Sequence, residues 1–270
     1  MTDLRDIPPS DPHWRPLAPA GNLPPLGDSP MPELTPLKAG RSKGSWVMWI
    51  AKGIAKLVLG LLIFSLVWVT ALKFLPVPIT ATMIGDIVAG HGATSHWRSL
   101  DQIDHNMPRA AMAGEDARFC SHHGFDYAAI QKAWAHNADG GRIHGGSTIS
   151  QQTAKNVFLW QGGGFVRKGL EAYFTVLIET IWGKRRIMEV YLNVAETGIG
   201  TYGVDAGAQR YYHHGADRLS VREAAQIAAV LPLPKKRAAI DPRGFTRRHG
   251  NAIAASMGAI RAQGLDSCLR

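Results

Sequence analysis

The sequence predicts a mainly α-helical protein in which one helix crosses a membrane ahead of a domain-sized helical unit. Three observations carry this expectation. An uncharged apolar run extends from Leu57 to Leu72, several segments after Pro76 space their apolar residues at a helical period, and alternating strand patterns are scarce. The 270 residues are 46% hydrophobic and 19% charged, which is globular composition and excludes a disordered, collagen-like or disulfide-rich chain. Two cysteines, Cys120 and Cys268, cannot build a disulfide framework or a Cys-based zinc site; they allow one bridge at most, and nothing near them argues for it.

The first segment, residues 1–45, holds ten of the sixteen prolines, between Pro8 and Pro36, and no periodic apolar residues. Such a stretch cannot bury a core, so it reads as a disordered tail. It lacks the basic start and immediate apolar run of a secretory signal. The second segment, residues 46–75, reads as an anchor. The sixteen residues Leu57–Leu72 span ~24 Å of a ~30 Å hydrocarbon core. Ile54, Ala55, Phe74 and Leu75 extend the run, Lys56 and Lys73 can snorkel, and Trp46 and Trp49 sit where an aromatic belt lies. Lys38, Arg41, Lys43, Lys52 and Lys56 precede the run and Lys73 alone closely follows it, which places the tail in the cytoplasm and everything after Pro76 outside. Pro76 and Pro78 end the helix.

The third segment, residues 76–270, is long enough for a substantial core. It carries 22 basic and 16 acidic residues. In an exported domain this excess favours anionic lipid or a phosphate-bearing substrate over nucleic acid, because aromatic residues are not interleaved with Lys and Arg. Helical spacing covers DYAAIQKAWAHNA, FVRKGLEAYFTVLIETIW and RRIMEVYLNVA. Another helix, VREAAQIAAVL, follows a Ser220 cap and is stopped by Pro232. Gly140-Gly141, Gly145-Gly146 and Gly162-Gly163-Gly164 are joints.

Four blocks carry chemistry. In Glu115-Asp116-Ala-Arg118-Phe119-Cys-Ser-His122, a helix would put Glu115, Phe119 and His122 on one face, where a carboxylate beside a ring has the raised pKa that acid–base work requires. In GGSTISQQTAKN, Thr148 and Gln151 form a capping-box pattern, and Thr148, Gln152 and Lys155 share a face that offers a hydroxyl, an amide and an ammonium to a ligand such as a sugar diphosphate. Arg167 and Glu171 stand one turn apart, a pair that is minor if exposed. Lys184-Arg185-Arg186 opens an amphipathic helix containing Glu189, Tyr191 and Asn193, and by itself reads as a solvated helix start. The histidines show no His-Glu-x-x-His spacing, and no metal ligand set is expected.

Taken in order, EDARFCSHHG, GGSTISQQTAKN, RKGLE and KRRIMEVYLNVAETGIGTYGV resemble the peptidoglycan glycosyltransferases of glycosyltransferase family 51, over roughly Met107 to Pro234. The chain is similar to the monofunctional, membrane-anchored members, since no Ser-x-x-Lys or Lys-Thr-Gly of a penicillin-binding transpeptidase occurs in it. The resemblance implies a lysozyme-like helical lobe with a small membrane-proximal jaw, and as substrates lipid II and the growing glycan strand. It implies Glu115 as catalytic base and Glu171 as second catalytic carboxylate near the diphosphate. Asp116, Phe119, His122, Thr148, Gln152, Lys155, Arg167 and Lys168 match substrate-binding positions of the cleft. Glu189, Tyr191 and Asn193 match a block with a structural role. Thr153 and His123 depart from the usual pattern, which bears on local packing only. No cofactor is required, with a divalent cation (Mg or Mn) at the diphosphate as an optional helper. The Lys184–Arg186 cluster joins Lys155, Arg167 and Lys168 as a source of positive charge for the leaving group. The expected place is the inner (cytoplasmic) membrane, single-pass, with a periplasmic catalytic domain, membrane lipids as neighbours and other cell-wall synthesis or division proteins as partners. Two rival readings are a membrane-bound lytic glycosidase, which would shorten preformed glycan in place of growing it from lipid II, and an inactive scaffold, which would show no activity when purified; the resemblance further implies inhibition by moenomycin and indifference to penicillin.

Overall fold

The computed structural model describes residues 43–138, 146–231 and 233–270. The Pro-rich tail through residue 42, with Lys38 and Arg41, lies outside the described residues, as do Gly140, Gly141, Gly145 and Pro232. Ten α-helices and one three-stranded sheet stand among the described residues: α1 (Lys43–Leu72), α2 (Ala81–Val88), β1 (Thr94–Ser95), α3 (Asn106–Glu115), α4 (Tyr127–Ala138), α5 (Ile149–Phe158), α6 (Phe165–Ile181), α7 (Lys184–Val194), β2 (Glu196–Gly198), β3 (Thr201–Tyr202), α8 (Val204–Tyr212), α9 (Val221–Val230) and α10 (Gly244–Ala262). The mainly α expectation holds.

Within α1, the 27 residues Trp46–Leu72 are long and apolar enough to cross a membrane. A buried core helix would hide such side chains, yet these are exposed almost all round. Only Ser65, Val69 and Leu72 are covered, at i, i+4 and i+7 on one face. At that face Ser65 Oγ and Tyr173 OH are hydrogen-bonded at 2.7 Å and Trp182 Nε1 donates to the Val69 carbonyl at 2.7 Å. Arg186 donates to the carbonyls of Leu72, at 2.8 Å, and of Leu75. The last carbonyls of a helix have no partner within it, so a guanidinium there meets both hydrogen-bonding and dipole needs.

The core of the helical unit forms where α3 lies against α9 and α10, and α5 against α6 and α7. From α3 it takes Met107, Ala110, Ala111 and Met112, from α9 Ala224, Ile227 and Ala228, and from α10 Ile253, Met257 and Ile260, all buried. Each large apolar side chain buried this way contributes about 1.5–3 kcal/mol. At Gly114 a Cβ would sit 3.0 Å from Ile253 Cδ1, so a side chain there would push α3 off α10.

α7 is amphipathic as its sequence reads, and it packs deeply: Ile187, Met188 and every residue from Val190 to Val194 are buried. Its basic opening is solvated only at Arg185, which pairs with the exposed Asp101; Lys184 pairs with Glu179 at 2.7 Å and Arg186 with Glu189 under cover. Asn193 accepts from Arg98 N–H at 2.7 Å and donates to the carbonyls of Arg98 and Glu189, tying the segment before α3 to this helix. The sheet follows, in order β1-β3-β2, with β1 parallel and β2 antiparallel to β3. Gly203, at φ 80°, turns the chain from β3 into α8 where a Cβ would lie 2.7 Å from the Asn193 carbonyl oxygen, so only glycine fits.

Cys120 and Cys268 form a disulfide with their Cα atoms 5.5 Å apart, joining the loop after α3 to the segment after α10. It closes a loop of 148 residues, for which the chain-entropy account predicts a large effect. Cys268→Ser is expected to cost about 2–5 kcal/mol of stability, read as a lowered denaturation midpoint. Equal midpoints for oxidised and reduced wild-type protein would contradict this.

Candidate active site

α3 ends at Glu115 because Asp116 leaves the helical region, at φ −162° and ψ 74°. What it gains is tertiary. The Asp116 carboxylate accepts from the Ile149 N–H at 3.0 Å and from His122 Nε2 at 2.9 Å. Ile149 is the first residue of α5, so one carboxylate clamps the end of one helix to the start of another. The expectation of a continuous helix through His122 is thereby corrected: residues 116–124 are turns, and Glu115, Phe119 and His122 share no helix face.

The α5 end is built as its sequence predicts. Thr148 Oγ1 accepts from the Gln151 N–H at 3.2 Å and the Gln151 side chain accepts from the Thr148 N–H at 3.0 Å, a capping box. Thr148 Oγ1 also donates to the Gly124 carbonyl at 2.7 Å. Its hydroxyl is therefore committed and buried, and Thr148 does not offer it to a ligand beside Gln152 and Lys155. Thr153, the departure from pattern, is buried and bonds back to the Ile149 carbonyl.

With both helix ends clamped, Gln152 Nε2 donates to Glu115 Oε2 at 2.7 Å. Burial pushes the Glu115 carboxyl up from its ordinary value, against the opposing pull of the Gln152 hydrogen bond and of Arg237 and Lys155. Glu115 opens onto a recess of ≈ 190 Å³ whose other walls include Arg118, Asp126 and Ser147. Arg118 and Asp126 form an ion pair there, and Asp126 also caps α4 through the Ala129 N–H at 2.9 Å.

Lys155, one turn after Gln152, lines a second recess of ≈ 370 Å³ with Asn156, Gln161, Glu196 and Lys235. Burial lowers its pKa first; Glu171 and Glu115 counter this, while Arg167 and Lys168 add to it. The Lys155 ammonium therefore sits in the field of those four charges. Glu171 is only 3% exposed, accepting from Arg167 NH1 at 2.7 Å and from Lys168 Nζ. The expected Arg167–Glu171 pair exists, but it is part of a three-membered cluster around a buried carboxylate, with Lys168 reaching it from the surface, and not an exposed pair of little consequence. Among the described residues the Lys155 ammonium has no hydrogen bond or ion pair, so it is the cation left for a ligand.

The structure thus brings together Glu115, Gln152, Lys155, Arg167, Lys168 and Glu171. Asp116 and Thr148 line the Glu115 recess while bonding to its frame, and Phe119 and His122 lie beneath as support: Phe119 is wholly buried under the Lys184 ammonium, 4.5 Å from its ring centre, and His122 is the buried partner of Asp116. The Lys184–Arg186 cluster lines neither recess, and its charges face Glu179, Asp101, Glu189 and the end of α1. Sequence reasoning missed Arg237, which acts on Glu115, and Lys235, which reaches Asp86 and, at 3.6 Å, Glu196. The run Lys235-Lys236-Arg237, just past the last motif block, was the signal available.

A family model described as Transglycosylase matches residues 81–258, which takes in α2 through most of α10. The chain belongs to this transglycosylase family. Among curated relatives, a biosynthetic peptidoglycan transglycosylase of Caulobacter vibrioides is 51% identical over 197 residues, 73% of this chain and 86% of the relative. Proteins of the same description from Pseudomonas aeruginosa and Xanthomonas campestris are 47% identical over 208 residues (75% and 90%) and 48% identical over 191 residues (68% and 78%). The site of this transglycosylase lies wholly within the matched region.

Proposed function

We propose that this peptidoglycan glycosyltransferase polymerises lipid II by an inverting displacement in which Glu115 is the general base. The observation that carries the reading is a desolvated Glu115, held by Gln152, in the field of Arg237 and Lys155, with Arg167 and Lys168 acting in turn on Lys155. The 4-hydroxyl of the acceptor's N-acetylglucosamine gives its proton to Glu115. Its oxygen bonds to C1 of N-acetylmuramic acid at the reducing end of the growing strand, and the C1–O bond to undecaprenyl diphosphate breaks with its electron pair, leaving a β-1,4 link. A diphosphate is a good leaving group that needs charge neutralisation more than a proton. Lys155 meets it directly, and Glu171 holds Arg167 and Lys168 side by side. The lytic alternative has little use for this cluster, because a sugar leaving group requires an acid. Glu171 already accepts from two cations, and the side chains at the diphosphate end are positive, so the donor set does not fit a resident Mg or Mn ion; no step is assigned to one.

The tail–anchor–domain order, with the domain outside the inner membrane, is supported by the basic flank before α1 and by the Cys120–Cys268 bond, which belongs to an oxidising compartment. Exposed Ile84, Ile87 and Val88 on α2, with Phe165 and Val166 at the start of α6, support contact of this edge with membrane lipid. Detergent-solubilised protein given labelled lipid II is expected to make glycan strands, to be blocked by moenomycin and to ignore penicillin; shortening of preformed glycan in place of growth would reverse the reading.

The pH profile follows from the two shifted groups. Glu115 must be ionised and its pKa is raised, so kcat/KM is expected to fall on the acid side at a pH above the usual ~4.3 of a glutamate. Lys155 must be charged and its pKa is lowered, so the alkaline limb is expected below the usual ~10.4 of a lysine. In Lys155→Arg the alkaline limb should move up while the acid limb stays.

A further inference from the structure

We infer that the cleft between α9 and α10 is a second anion-binding site, which holds the peptide carboxylates of the nascent glycan as it leaves the reaction centre; this rests on the polymerase reading above. The cleft has a volume of ≈ 670 Å³, larger than either recess at the catalytic carboxylate and lysine. Its floor is made of small residues. At Gly250 a Cβ would lie 3.7 Å from the Ala225 carbonyl oxygen and the Ala229 Cβ, so the two helices come close there and the space above stays open. Arg222, Arg243 and Arg247 stand around it, all exposed, against one acid in the lining, Asp241. Among the described residues none of these three guanidiniums makes an ion pair or a side-chain hydrogen bond. Three like charges around one hollow, with no internal partner, call for an anion, and the planar fork of Arg matches a carboxylate.

The occupant follows from where the cleft lies. Arg237 acts on Glu115, and its guanidinium stands 5.1 Å over the Phe245 ring, which stacks on His249 at 5.5 Å. Phe245 and His249 belong to the first turns of α10, each two residues from Arg243 or Arg247. A strip of cation and aromatic faces therefore leads from the base to the cleft, suited to sugar rings that carry charged substituents. One diphosphate remains per strand, whereas each added disaccharide brings a peptide with a free carboxylate, so carboxylates are the anions a growing product presents repeatedly.

The test uses the full detergent-solubilised chain and labelled glycan oligomers, either with peptides intact or with the peptides removed by an amidase. Wild-type protein is expected to bind the peptide-bearing oligomer about tenfold more tightly, with a salt dependence, since several charge pairs act together. Arg243→Glu/Arg247→Glu, and separately Arg222→Glu, should erase that difference and shorten the strands made, while the initial coupling rate and the melting temperature stay as in wild type. Equal affinity of wild-type protein for the two oligomers would overturn the inference. So would variants that keep the preference yet lose binding to phosphatidylglycerol vesicles, which would make the cleft a lipid contact. Failure of wild-type protein to polymerise lipid II would count against the polymerase reading alone, because the oligomer comparison needs no turnover.

Discussion

Glu115→Gln is expected to lower the rate of lipid II polymerisation by about 10²–10⁴-fold, the usual contribution of a positioned general base. The substitution keeps the side chain's size and leaves a carbonyl oxygen to accept from Gln152 Nε2, so the geometry of the α3–α5 junction is preserved. It also removes a charge from a site where burial disfavours charge, so the melting temperature should hold or rise slightly. Initial rates with labelled lipid II, measured beside a thermal melt, separate the two effects. Near-normal turnover by a folded Glu115→Gln protein would remove this residue from its role and return the base to be sought elsewhere in the cleft.

Lys155→Met is expected to cost about 10²–10³-fold in kcat, the scale seen when one preorganised electrostatic contact to a developing charge is removed. The stability readout runs the other way. The Lys155 ammonium is partly buried without a partner, whereas Met fills a similar volume with no charge to desolvate, so the variant should melt at or above the wild-type temperature. Glu171→Gln makes the contrast: it leaves Arg167 and Lys168 facing each other without their buried counter-charge, so it should lower stability as well as activity. A Lys155→Met protein that turned over normally, or that lost activity only by unfolding, would place the lysine among structural residues.

Much of this was legible before any coordinates, and the reason differs by element. α1 announces itself because its apolar character is continuous, and α5 and α9 because a capping box is a local pattern that local chemistry completes. α8 and α10 escaped notice. In α10 the buried residues Gly250, Ile253, Met257 and Ile260 do recur at helical spacing, but alanines and arginines dilute the signal. The strands are two or three residues long, too short to show alternation. At the site, residue types singled out Glu115, Thr148, Gln152 and Lys155, whereas Arg167, Lys168 and Glu171 entered through the family resemblance. Motif membership could not separate groups that face the cleft from groups that hold it together. Asp116, Phe119, His122 and Thr148 are tied to backbone amides, rings and helix ends contributed by distant segments. The Lys184–Arg186 cluster was misplaced for the same reason: its charges answer the carbonyls of α1 and acids on neighbouring elements. The disulfide links cysteines 148 positions apart, beyond the reach of any local pattern.

The bonds from Arg186, Trp182 and Tyr173 fix the last turns of α1 to the helical unit, a firm joint rather than a leash. A leashed catalyst could rise, tilt and sample substrate headgroups at many depths. One fixed at the outer end of its anchor meets them at a single height, and can follow the strand it builds only by drifting sideways together with that end. Swapping α1 for a flexible lipid-attached tail should therefore forfeit more than residence at the surface: by removing the joint at Ser65, Val69 and Leu72 it should unsettle the level at which the reacting sugar is presented.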